Sequence, residues 1–219
     1  DDAHVFPDDR QTSGPLSDCR PVLYPGFDFQ WDWARLSEAS TFDDPVSGLH
    51  FLYFRGNAIQ EDQAIGVVSS PDGLSWSQAS DPVLLPGAVW DARNISNPSV
   101  AYIEGLARPY LMVYHGRDMA NGPRQVGLAT ATSPWGPFER LDPVDAQPIT
   151  APVLPPSSNL AYLDGERTLH PTLSWDADGG ILHLWYNGRS GSSTTLRIFH
   201  ATSTDFGMSW ARTDVDGVP

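Results

Sequence analysis

The sequence predicts an all-β protein: a β-propeller of four-stranded antiparallel blades, three of them full and one partial. Three observations carry this. The 219 residues include 19 glycines and 20 prolines, turn-forming material that suits many short strands and not a helical bundle. A strand ending in an aromatic and a glycine recurs at a period of about 60–70 residues, as Leu52-Tyr53-Phe54-Arg55-Gly56, Val113-Tyr114-His115-Gly116 and Trp185-Tyr186-Asn187-Gly188. An aromatic then returns at one position after a turn, as Trp76, Phe138 and Trp210. A four-stranded sheet is apolar on both faces and cannot bury either alone, so repeated sheets stack around an axis, with such aromatics wedged between neighbours.

The elements follow in order. Residues 1–26 read as an N-terminal arm, the outer strand of a partial blade, because Pro21-Val22-Leu23-Tyr24-Pro25-Gly26 matches Pro82-Val83-Leu84-Leu85-Pro86-Gly87 and a Trp-Asp pair follows each. Blades are expected over 27–87, 88–150 and 151–219, as one propeller domain. Their first strands are expected at Glu38 to Asp43, Pro98 to Glu104 and Pro171 to Asp176. The aromatic-glycine phrases are the second strands, and Ile65 to Ser70, Val126 to Ala131 and Ile198 to Ser203 the third. Tight turns such as Asp178-Gly179-Gly180 close the meander. Closed propellers have about four to eight blades. The expectation is therefore a piece of a longer propeller, an open one, or part of a ring completed by another chain, which would self-associate through its open edges.

Charge narrows the partners. The net charge is −14, which excludes nucleic acid and an anionic membrane surface as default partners. Every basic residue is arginine and most acids are aspartate. No apolar run approaches the ~18 residues of a membrane span, and Cys19 is the single cysteine, so neither an internal disulfide nor a cysteine metal cluster is expected. The sequence opens on Asp1-Asp2-Ala3-His4 without a signal peptide, as a mature secreted chain would. Asn94-Ile95-Ser96 is a formal glycosylation sequon.

Ser69-Ser70-Pro71-Asp72-Gly73-Leu74-Ser75-Trp76, Ala131 to Phe138, and Trp90-Asp91 followed by Asn97-Pro98-Ser99-Val100 resemble the five-bladed propellers of glycoside hydrolases, a group that includes arabinanases, xylosidases, fructosidases and mannoside phosphorylases. Residues 203–210 also resemble the Asp-box turn of sialidase-type propellers. There Asp72 and Asp205 would cap turns by accepting backbone N–H groups. The resemblance implies an extracellular or periplasmic protein with an oligo- or polysaccharide in the central funnel and no cofactor. Calcium occupies the channel of some relatives, but no ligand cluster in this chain demands it.

In such a propeller the first strand lines the axis and the second returns to the funnel mouth. Asn97 and His170, each before a proline, and Glu38 would stand at the strand-one starts. Arg55, His115 with Arg117, and Asn187 with Arg189 would stand at the strand-two ends. Asp32, Asp91 and Asp164 lie six residues ahead of Glu38, Asn97 and His170, a common register from which carboxylates would face the axis, or else cap loops. Asp91 is then the candidate base or pKa modulator, with Glu38 or Glu166 as acid. Asp32, Asn97, His115, Arg117, Asp164, His170 and Arg189 are candidate sugar contacts, and Trp31, Trp33 and Trp90 candidate stacking platforms. Arg55, Arg117 and Arg189 suit a carboxylate clamp, or pair with surface aspartates. The chain departs from the hydrolase pattern where the family's base and acid precede strand-one prolines: Asn97 and His170 stand there, and an amide cannot abstract a proton. A non-catalytic propeller that binds glycan or protein is the competing expectation.

Overall fold

A computed structural model of the protein describes residues 21–26, 31–57, 63–79, 81–87, 90–118, 122–158, 163–190 and 195–213. Residues 1–20 of the expected N-terminal arm lie outside them. Every regular element among the described residues is a strand: β1 (Arg35–Asp43), β2 (His50–Asn57), β3 (Ala64–Ser70), β4 (Asn94–Tyr102), β5 (Tyr110–Arg117), β6 (Gln125–Ala131), β7 (Arg167–Asp176), β8 (Ile181–Arg189), β9 (Arg197–Ser203) and β10 (Ala211–Arg212). No helix among them is long and apolar enough to cross a membrane.

The strands form three antiparallel meanders, β1-β2-β3, β4-β5-β6 and β7-β8-β9-β10. Among the described residues a regular fourth strand forms only in the last. In the first two its place is held by single contacts: Ser77 N–H donates to Ser69 O at 2.9 Å, and Thr130 and Glu139 form an isolated bridge. The Pro-Val-Leu segments lie farther along the same outer edges, where Leu84 bridges Ile65 and Leu154 bridges Val126. They cannot run as regular strands because proline supplies no ladder donor. Asp72 caps its turn by accepting from the N–H groups of Leu74 and Ser75 at 2.9 and 2.8 Å. Those donors favour the anion and bring its pKa down to about 2.

Two apolar cores lie between successive sheets. Phe51, Tyr53 and Val67 of the first sheet meet Tyr110, Met112 and Tyr114 of the second. Leu111, Val113 and Leu128 of the second meet Leu182, Leu184 and Tyr186 of the third. Alternation along β5 sends odd and even residues to opposite cores, so both faces of the middle sheet are dry. Phe138 sits in the first core, with its ring edge-on to Tyr53, and Trp210 packs against the second. These are the interblade wedges that the repeat predicts. Polar ties fix the blades at the sheet ends: Tyr53 OH donates to Pro134 O at 2.6 Å and Tyr110 OH to Asp44 Oδ1 at 3.0 Å.

Candidate functional site

The inner strands β1, β4 and β7 each carry a bulge at one register. Ser37 pairs with Arg55 and Ser40 with Tyr53, so Glu38 and Ala39 together face Phe54. Asn97-Pro98 stand likewise against Tyr114, and His170-Pro171 against Tyr186. The first residue of each bulge is left-handed, with φ of 55° at Glu38, 51° at Asn97 and 50° at His170. A side chain in that region costs roughly 1–3 kcal/mol, and such strain is found where a site needs a side chain re-aimed. The sequence placed these residues at strand starts; the structure puts them three residues inside. Pro98 and Pro171 sit at the bulge, where the missing ladder donor is tolerated.

The three bulges converge. Glu38, Asn97 and His170, with Ser40, Ser99 and Thr172 just beyond, line one open cavity of about 520 Å³ between the inner strands. Ser40 Oγ donates to Pro98 O at 2.6 Å, and Leu173 N–H donates to Ser99 Oγ at 3.0 Å, which locks neighbouring bulges together. Among the described residues Glu38 is the cavity's one carboxylate, and its Oε1 lies 3.1 Å from Arg55 Nη1. Arg55 also donates to Ser37 Oγ and Gln63 Oε1, at 2.8 and 3.0 Å.

His115, which pairs with Ser96 just before its bulge, is 3% exposed. Its Nδ1 accepts from the backbone N–H of His170 at 3.3 Å, which leaves the ring proton on Nε2. Burial first, then the positive charges of Arg124, His170, Arg55 and Arg117, hold its pKa well below the ordinary imidazole value. His170 is exposed, and its Nδ1 stands 3.1 Å from Asn187 Oδ1. Arg189 binds Glu166 from both sides of the carboxylate, and Arg167 Nε lies 3.3 Å away. The hydrogen bond from Arg189 keeps Glu166 below its usual pKa, opposite to what a general acid needs.

The repeated aspartates are buried and do not line the cavity. Asp91 is fully buried, and its Oδ2 accepts from Tyr114 OH at 2.8 Å and from Arg140 Nε and Nη2 at 2.8 and 2.6 Å. Asp164 repeats this with Tyr186 OH at 2.8 Å and Arg212 Nε at 2.7 Å. Each triad clamps a blade's lead-in segment to its second strand and outer edge. Blade one has Phe54 for the tyrosine and Gln78 for the arginine. Its Asp32, also buried, has its pKa raised by desolvation, against the lowering pull of its own and Gly26 backbone N–H groups.

Trp90 and Trp31 pack on aromatic side chains of their own sheets. Trp90 is 8% exposed and stacks on Tyr114. A Cβ on Gly127 would lie 2.7 Å from Trp90 Cζ2, so only glycine admits the indole. Trp31 stacks in the same way on Phe54, over Gly56 and Gly66. In blade three Leu163 replaces the tryptophan, and Phe199 covers Tyr186 and Gly188 instead. Trp33 is half-buried. Among the described residues no group of three histidine, cysteine, aspartate or glutamate side chains could hold a metal.

No protein-family model matches the chain, and no curated protein sequence matches it. Solved structures do. Zg3597, a family 117 glycoside hydrolase from the marine bacterium Zobellia galactanivorans, superposes with a TM-score of 0.66 at 16% identity, over 89% of this chain and 60% of that one. The fold is a β-propeller, similar to that of this glycoside hydrolase. A thermostable family-43 glycoside hydrolase aligns with a TM-score of 0.59 at 22% identity, over 84% of this chain and 59% of that one. For a sucrose-6-phosphate hydrolase from Lactobacillus gasseri the values are 0.61 and 15%, over 81% and 33%. The propeller described above thus spans less than two thirds of the length of these structures, and at such identities the likeness is one of fold.

Structure also reveals what the repeats did not single out. Tyr114, Tyr186, Arg140 and Arg212 complete the aspartate triads, and each arginine stands two residues after a wedge aromatic, a signal that was readable. Arg124 at the mouth had no such signal, since Gln63 and Leu196 hold the equivalent positions in the other blades.

Proposed function

We propose that this propeller binds an extracellular oligosaccharide in the axial cavity and does not hydrolyse it by a carboxylate pair. The convergence of three strained bulges, presenting Glu38, Asn97 and His170 to one space, carries the reading. An amide, an imidazole and a carboxylate beside serine and threonine supply the mixed donors and acceptors that sugar hydroxyls require. The likeness to a family 117 and a family-43 glycoside hydrolase supports the choice of ligand class.

Hydrolysis by two carboxylates needs them about 5–5.5 Å apart for retention or about 6.5–9.5 Å for inversion. Glu38 has no described carboxylate opposite it in the cavity, and Asp91, Asp164 and Glu166 are held by arginines elsewhere. The test combines an aryl-glycoside activity screen with calorimetric titration of neutral oligosaccharides. Binding without turnover is expected, and Asn97→Ala or His170→Ala should weaken it at least ~10-fold, the loss of one or two hydrogen bonds. Turnover abolished by Glu38→Gln would overturn the reading.

A further inference from the structure

We propose that the funnel mouth beside this cavity receives the anionic substituent, a carboxylate or sulfate, of an acidic sugar, with Arg124 as its principal contact and Arg117 and Arg167 flanking it. The inference rests on the carbohydrate reading above and narrows it to charged glycans.

Position brings these arginines together. Arg117 ends β5 and Arg124 immediately precedes β6, just beyond the Gly116–Gln125 pair, so both stand at one end of this strand pair. The Thr168 N–H donates to Arg124 O at 2.9 Å, which sets Arg124 against the first residues of β7, next to Arg167. Arg124 is half-buried and its Nε is enclosed without a hydrogen-bond partner among the described residues. No described carboxylate forms an ion pair with it. Glu38, the carboxylate whose charge acts on Arg124, pairs through Oε1 with Arg55, and Glu166 is held between Arg189 and Arg167.

The electrostatics agree with the geometry. Burial lowers the pKa of Arg124, and Arg117, Arg167 and Arg55 add to that while Glu38 opposes it. A guanidinium still remains charged at neutral pH. In a chain of net charge −14, the partly desolvated Arg124 guanidinium, with an orphaned Nε, gains from an anion that completes it. The guanidinium fork matches a carboxylate or sulfate with two parallel N–H···O bonds. Arg124 is tied to Thr168, two residues before His170 of the cavity, so one glycan can place its ring among the bulges and its charged group at the rim.

The experiment is calorimetric titration of the full chain with three probes: an oligogalacturonate, a sulfated galactan oligosaccharide and a neutral xylo-oligosaccharide. At least one acidic probe should bind ~10-fold or more tightly than the neutral one. The two acidic arms tell carboxylate from sulfate. Arg124→Gln should erase the preference while leaving neutral binding and the melting temperature in place, and Arg167→Gln, a second variant in case the first misfolds, should reduce it. Equal binding of neutral and acidic probes would overturn this inference and leave the carbohydrate reading standing. An acidic preference that survives both substitutions would also overturn it. Failure of all three probes would remove both proposals.

Discussion

Asp91→Asn separates a structural from a catalytic aspartate. The wild-type carboxylate is fully buried and takes three hydrogen bonds through Oδ2, two of them from Arg140, whose side chain is only 16% exposed. Asparagine keeps the shape and one acceptor but removes the charge, which leaves the guanidinium partly buried without a counter-ion. Breaking a buried pair in this way costs about 3–5 kcal/mol. At roughly 2–4 °C per kcal/mol for a chain of this size, the melting temperature should fall by about 6–20 °C. Scanning calorimetry reads this directly. A double-mutant cycle with Tyr114→Phe should show coupling of about 0.5–3 kcal/mol, because both side chains meet at one oxygen. An Asp91→Asn protein that melts within about 2 °C of wild type, as a surface substitution would, refutes the clamp and reopens a role in chemistry.

Three further outcomes follow from the same structure. Among the described residues Asp32 has no arginine or tyrosine partner, and burial raises its pKa, so its native form holds a proton more tightly than the unfolded chain does. Its favourable contribution is complete below the unfolded value and is lost as pH rises through the native one, so Asp32→Asn should stabilise at neutral pH and change nothing in acid, as melting curves across pH would show. Gly127→Ala forces a methyl to within 2.7 Å of Trp90 Cζ2 and Tyr114 Cζ and should cost about 1–3 kcal/mol in denaturant unfolding. His115, buried and below the ordinary imidazole pKa, should show a flat ring-proton NMR signal between about pH 5.5 and 8, where a solvated histidine titrates.

The propeller was legible because its evidence is periodic. The aromatic-glycine strands and the wedge positions repeat, and Phe138 and Trp210 fill the interblade cores where the repeat put them. The bulges were not legible, since a proline after Asn97 or His170 reads as a strand start when the partner's register is unknown. The aspartates illustrate a subtler failure. A shared register shows that Asp32, Asp91 and Asp164 occupy equivalent places, but not whether those places face the axis. The deciding signal was a second correlation: tyrosine before the strand-two glycine and arginine after the wedge aromatic accompany Asp91 and Asp164, and both are missing around Asp32. Glu38, Asn97 and His170 occupy equivalent strand positions and so gather at one cavity with His115 behind His170, whereas Trp31 and Trp90 stack on Phe54 and Tyr114.

The most direct test of the account is to map bound glycan by amide NMR on the labelled protein during titration with the oligosaccharide that binds best. The account predicts shifts concentrated at Glu38, Asn97, His115, His170 and Arg124, fading toward the outer edges of the blades. Shifts confined to the far face of the third sheet, where Trp185 and Ile198 are 41% and 77% exposed, with the bulges unmoved, would contradict it.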